Sequence, residues 1–95
     1  MFDSINVNEL KKLHQINLID LRCVTSYNNG HILDAINIPH QSLLVNPQKF
    51  LFFHKVYHLY CQSGITSRKV CSYLSKLGYK VVNIEGGYEE WVLEN

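Results

Sequence analysis

Four apolar runs of strand length, Leu18–Leu21, Ala35–Ile38, Val56–Tyr60 and Val81–Ile84, are separated by stretches with helix or turn character. This alternation constrains the fold more than any other feature. Each run is apolar at all but one position (Asp20, Asn37, His58 or Asn83) and not merely at alternate ones, which is the pattern of a strand covered on both faces. Strands of that kind alternating with helices assemble into a mainly parallel sheet. The expected class is therefore α/β, with helices on both faces of the sheet. No repeat, low-complexity tract or linker interrupts the chain, so residues 1–95 are read as one domain.

The longest helix is predicted over Thr66–Leu77. Val70, Tyr73, Leu74 and Leu77 recur at three- and four-residue spacing, and Gly78 stands where a C-terminal cap belongs. Asn8 is expected to cap a short helix running to about His14, with Leu10 and Leu13 on its buried side. Asn28-Asn29-Gly30 marks a turn. Pro39 ends the second run, and a helical or irregular stretch follows to about Phe53. Gly86-Gly87 breaks the last strand, and Tyr88–Leu93 forms a final amphipathic turn or two.

Hydrophobic residues make up 46% of the chain and the net charge is +1, which excludes a disordered segment. Nine basic against eight acidic residues leave no field for a nucleic-acid backbone or an acidic membrane. No apolar run approaches the ~20 residues of a membrane span. Any substrate is held by a local arrangement. Cys23, Cys61 and Cys71 are too few and odd in number for a disulfide framework. The opening MFDSINVNEL has no secretory pattern. Reduced thiols and a cytoplasmic location are expected.

The chemistry concentrates in Tyr57–Arg68. A buried strand ends at Tyr60, a glycine-containing loop follows, and a helix opens near Thr66. Ligands of parallel sheets sit at the C-terminal strand ends, which is where Cys61 falls. The amides of Gln62, Ser63, Gly64, Ile65, Thr66 and Ser67 can curl into an anion-binding nest, with Gly64 taking a backbone angle other residues resist. The helix N-terminus adds about half a positive charge. Amides and dipole together favour a thiolate, so no side-chain base is required. The alternative for an isolated cysteine is a small buried strand cap.

Other reactive residue types have plainer readings. Cys71 lies on the helix beside Val70 and is expected in the core. Cys23 follows the Asp20 strand at the same sheet edge, where a resolving role competes with none. His54 and His58 show helical i,i+4 spacing, but in an extended segment they lie ~13 Å apart, too far to share a metal. Asp20 and Arg22 are expected to pair near the sheet edge, with a direct substrate contact as the alternative. Tyr88 and Trp91 are expected to pack the last helix onto the sheet. No metal or cofactor is called for.

The chain resembles a single-domain rhodanese, a sulfurtransferase module. Leu18-Ile19-Asp20-Leu21-Arg22 matches the Asp-x-Arg strand of that family, and Tyr27–Ile32 with Ala35–Pro39 matches its Gly-His-Ile and Ala-x-x-Ile-Pro stretch. Cys61-Gln62-Ser63-Gly64 with Ser67 matches the active-site loop, and Glu85-Gly86-Gly87 with Trp91 matches the closing Gly-Gly-x-x-x-Trp. The resemblance implies one rhodanese-like domain with a central sheet of about five strands. It also implies a Cys61 persulfide, formed from thiosulfate or another sulfane-sulfur anion and passed to a thiol or cyanide. In that family His31 has a structural role more readily than a catalytic one.

Two departures stand out. Many members carry Arg at the fifth position after the nucleophile, where this chain has Thr66. Some single-domain members have a small hydroxyl residue there and a basic one two positions on, which Arg68 matches. Cys23-Val24-Thr25-Ser26 replaces residues that are often acidic, a change expected to alter helix capping more than chemistry. Three alternatives remain beside the sulfurtransferase: a persulfide carrier or interaction module, a Cys-based phosphatase, and an arsenate reductase. Phosphatase loops place Arg six residues after Cys; here that residue is Ser67, and Arg68 leaves the helix about 100° further round.

Overall fold

The computed structural model describes residues 1–94. Its five strands are β1 (Asp3–Ile5), β2 (Asn17–Asp20), β3 (Ile36–Asn37), β4 (Val56–Tyr60) and β5 (Lys80–Ile84), arranged β1-β5-β4-β2-β3. Every pairing is parallel, as the doubly apolar runs require. The register aligns Asp20 with Tyr60 and Leu59 with Asn83. The C-terminal ends of β2, β4 and β5 therefore lie together.

Strand alternation divides the core in two. Ile19, Tyr57, Leu59, Cys61 and Val81 face one side, where Leu43 of α3 (His40–Val45) and Val70, Cys71 and Leu74 of α4 (Ile65–Lys76) cover them. Leu18, Tyr60 and Ile84 face the other. There they meet Val7 and Leu10 of α1 (Val7–Leu10), Tyr27 of α2 (Val24–Asn29), and Tyr88 and Trp91 of α5 (Gly87–Glu94). Helices thus flank both faces, and the last helix docks through the two aromatics expected to do so.

Several local expectations change. Asn6, not Asn8, caps α1: its side chain accepts from the Glu9 amide at 2.8 Å while Glu9 Oε1 accepts from the Asn6 amide at 3.0 Å. This reciprocal box satisfies two otherwise unpaired donors. The helix stops at Leu10, so Leu10 is buried and Leu13 is left exposed. The expected turn at Asn28-Asn29-Gly30 is the end of α2. The run Ala35–Ile38 contributes only two residues of strand, and β1 lies outside the four apolar runs.

On α4 the buried stripe is Ser67, Val70, Cys71 and Leu74, whereas Tyr73 and Leu77 are about half exposed. The stripe is rotated from the one defined by bulky apolar residues because small polar Ser67 and Cys71 occupy the inward positions. Among the described residues, no helix is long and apolar enough to cross a membrane.

Candidate active site

Cys61 immediately follows β4 and precedes the turn into α4. Its Sγ accepts hydrogen bonds from the amides of Gly64 and Ser67, both at 3.2 Å. Gly64 makes this possible by taking φ +95° as the residue preceding α4, a left-handed angle that costs other residues about 1–2 kcal/mol. Among the described residues, the amides of Gln62, Ser63, Ile65 and Thr66 donate to no protein acceptor. Two donors of the expected nest are thus on the sulfur, and the other four have no protein acceptor. Gln62, Ser63 and Ile65 are exposed, Thr66 is half-buried, and Cys61 itself is 5% exposed.

The loop is held from two sides. From α5, the amides of Tyr88 and Glu89 donate to the carbonyls of Cys61 and Gln62, each at 2.9 Å. Gly87 stands at φ +57° with its α-carbon against this backbone, so a side chain there would meet the Cys61 and Gln62 carbonyls. From the segment that follows β2, Arg22 Nη1 donates to Gln62 Oε1 at 3.2 Å. The same guanidinium forks onto Asp20, at 3.1 Å to each oxygen from Nε and 2.7 Å from Nη2, donates to the Gly30 carbonyl at 2.7 Å, and lies 4.1 Å from the centre of the Tyr88 ring.

Asp20 is fully buried and also accepts from the Tyr60 hydroxyl at 2.6 Å and the Arg22 amide at 2.8 Å. Burial, and then the bond to Asp20, push the Tyr60 hydroxyl well above its ordinary pKa. Burial works against the Arg22 charge, but the bonds and charge of Asp20 outweigh it and raise its pKa. The expected Asp20–Arg22 pair is therefore a brace beneath the loop.

Arg68 lies on the solvent side of the loop, its Nη2 3.6 Å from Glu85 Oε2, with both side chains more than half exposed. An open cavity of about 290 Å³ is lined there by Ser63, Gly64, Ile65, Arg68, Asn83 and Glu85. Thr66 and Arg68 belong to the first turn of α4 but make no contact with Sγ among those described.

The remaining candidates separate clearly. Cys71 is fully buried, and burial pushes its thiol up to about 12. It belongs to the core, as expected. Cys23 is exposed, 3.4 Å from Ser26 Oγ, which lowers its pKa. It is the N-cap residue of α2 and makes no side-chain cap bond there. His31 stacks on Tyr27 with ring centres 3.7 Å apart, and its Nδ1 lies 2.8 Å from the Tyr27 carbonyl, a structural placement. His58 is buried with Nδ1 unpartnered, and burial lowers its pKa. Among the described residues no group of His, Cys, Asp or Glu is placed to hold a metal.

Sequence reasoning missed one partner of the site. The Ser67 hydroxyl lies 3.4 Å from Sγ and donates to Asn83 Oδ1 at 2.6 Å, with Ser67 and Asn83 both buried. The signal was present: Asn83 is an amide inside an otherwise apolar strand, and a buried amide needs a partner.

The geometry agrees with comparison to known proteins. A family model described as Rhodanese-like domain matches residues 6–94. YtwF of Bacillus subtilis, named as a sulfurtransferase, is 37% identical over 79 residues, covering 81% of this chain and 74% of its own. The thiosulfate sulfurtransferase GlpE of Shewanella oneidensis is 28% identical over 97 residues, covering 95% of this chain and 92% of its own. The crystal structure of a rhodanese-related protein from Thermoplasma volcanium superposes with a TM-score of 0.89 at 32% identity, covering 99% of this chain and 94% of that one. A cysteine cradled at the end of the central strand of a five-stranded parallel sheet, over a sequence matched almost end to end, leads to one assignment: the chain belongs to the rhodanese-like domain family, a family with members named as sulfurtransferases.

Proposed function

We propose that the protein is a rhodanese-type sulfurtransferase that moves a sulfane sulfur through a persulfide on Cys61. The observation that carries this reading is the pair of 3.2 Å amide bonds to Sγ with four further loop amides facing no protein acceptor. Backbone donors of that kind stabilise a sulfur anion at either step.

Cys61 thiolate attacks the outer sulfur of thiosulfate or a related persulfide donor. The new S–S bond forms as the donor's own S–S bond breaks, and sulfite (or the donor's thiolate) leaves with the bonding pair. An acceptor thiolate or cyanide then attacks the outer sulfur of the persulfide and regenerates Cys61 thiolate. The amides of Gln62–Ser67 hold the donor anion and the persulfide terminus. Arg68, partly answered by Glu85, supplies the attracting charge at the loop mouth. The three free cysteines suit a reducing, cytoplasmic setting.

The test is mass spectrometry of the intact protein after thiosulfate treatment, followed by cyanide. One sulfur atom should be added to Cys61 and then removed. Cys61→Ser should lose both the adduct and turnover, and Cys71→Ala should retain them. Turnover by Cys61→Ser would sink the mechanism. Persulfide formation without turnover on small acceptors would identify a carrier instead. A phosphatase or arsenate reductase is disfavoured because the sixth residue after the nucleophile is Ser67, whose hydroxyl is committed to Asn83. Cys61-dependent aryl phosphate hydrolysis would overturn that judgement.

A further inference from the structure

The near-neutral total charge hides a separation along the chain. Residues 35–84 carry six cations (Lys49, Lys55, Arg68, Lys69, Lys76 and Lys80) and no Asp or Glu, a net of +6. The remaining residues hold all eight acidic groups and three cations, a net of −5. The fold turns this into two faces. The basic segment contains α3 and α4, which cover one side of the sheet, and the acidic remainder contains α1, α2 and α5, which cover the other. All six cations are exposed. Among the described residues, Arg68 is the only one of the six paired with a carboxylate.

The outer face of α4 orders these charges. Ile65, Arg68, Lys69, Tyr73 and Lys76 recur at three- and four-residue spacing and form one exposed stripe ~18 Å long. At its far end Leu77 is 45% exposed, and Phe53, 58% exposed, packs beside Gly78. At its near end Ile65 and Arg68 line the cavity beside the Cys61 loop. Apolar side chains set among unpaired cations suit a protein surface that is acidic with apolar spots. An occupant of the stripe is also placed to bring a thiol to Cys61, which a lipid bilayer or a nucleic-acid backbone cannot do.

We propose that the exposed face of α4 docks an acidic protein segment that carries the acceptor thiol, so that the sulfur on Cys61 passes to a protein. The proposal rests on the reading of Cys61 as a persulfide carrier. Charge speeds the encounter, and Tyr73, Leu77 and Phe53 hold the docked segment. Its thiolate attacks the outer sulfur of the persulfide. The new S–S bond forms as the old one breaks, and Cys61 leaves as the thiolate with the bonding pair.

The experiment mixes sulfur-loaded protein with peptides long enough to reach both ends of α4, each with a central cysteine flanked by Glu, Ser or Lys. Rates are compared at equal thiolate concentration. At low salt the Glu peptide should react about tenfold faster than the Lys peptide, and the advantage should shrink at high salt. Lys76→Glu combined with Lys80→Glu, both at the end of α4 away from Cys61, should abolish the advantage and leave transfer to mercaptoethanol unchanged. Equal rates for the three peptides, or an advantage that survives the charge reversal, overturn the proposal. So does salt-sensitive binding to phosphatidylglycerol vesicles or duplex DNA, or self-association through the acidic face, when no peptide preference accompanies it. Peptides with serine in place of cysteine report docking alone, by fluorescence anisotropy, on protein that carries no added sulfur. Tighter binding of the Glu peptide there supports the docking face, and equal binding refutes it. If thiosulfate fails to load Cys61, the sulfurtransferase reading falls and the anisotropy result still decides the docking.

Discussion

Replacing Arg22 with Met keeps most of the apolar stem and removes the charge. The structure sets the size of the effect. Asp20 is fully buried and loses three guanidinium contacts between 2.7 and 3.1 Å, keeping only the Tyr60 hydroxyl and the Arg22 amide. Breaking a buried ion pair from one side costs about 3–5 kcal/mol, because the remaining charge is uncompensated. Loss of the Tyr88 ring contact belongs to the same event and is not added separately. A domain of this size has about 5–15 kcal/mol of stability, so Arg22→Met removes a large share. With urea slopes of about 1–3 kcal/mol per molar, the midpoint should drop by roughly 2 M. Asp20→Asn combined with Arg22→Met removes both charges and should be clearly more stable than Arg22→Met alone. A loss below about 1 kcal/mol, or a double variant no better than the single one, would refute the view that the Asp20–Arg22 pair braces the loop.

Gly87→Ala should lower the melting temperature and slow alkylation of Cys61. It combines a left-handed angle costing about 1–2 kcal/mol with a Cβ that would lie 2.9 Å from the Gln62 carbonyl oxygen; unaltered melting would show that α5 yields easily. His58 gives a pH signature. The unfolded chain protonates this residue near about 6.5 and the folded chain only at lower pH, because burial opposes the charge. The unfolded state therefore binds more protons over that interval, and stability is full above about 6.5 and falls as pH drops below it. His58→Gln should flatten that fall in denaturation curves at pH 7 and pH 5, and equal slopes would rule His58 out as the cause.

The sheet was legible because burial on both faces writes itself as apolar runs broken at a single position, as by Asp20 in Leu18–Leu21 and by His58 in Val56–Tyr60. The proposed nucleophile, Cys61, was legible because strand, glycine and helix succeed one another within a dozen residues. What escaped lay in reciprocal or distant contacts. The Asn6–Glu9 box competes with Asn8 by only two positions, and its advantage is the second hydrogen bond. β1 is three residues long and is defined by a partner 79 residues away, Asp3 against Val82. The Ser67–Asn83 bond joins a helix to a strand, and spacing along the chain carries no trace of it. Arg68 shows the opposite limit: its place in the first turn was clear, and its engagement with Glu85 was not.

The pairing of β1 with β5 has a consequence for how the molecule is made. On a ribosome, residues 17–60 can assemble β2, β3 and β4 from neighbouring segments, but β1 must wait until residues 82–84 have been synthesised. Closing so long a loop is entropically costly and comes late. Until then one edge of β5's future neighbour β4 is unpaired, and Cys61 lacks the carbonyl-holding amides of α5. The cradle around Cys61 is thus complete only once β5 and α5 have emerged, so a chain stalled before them exposes a loose thiol and an open strand edge.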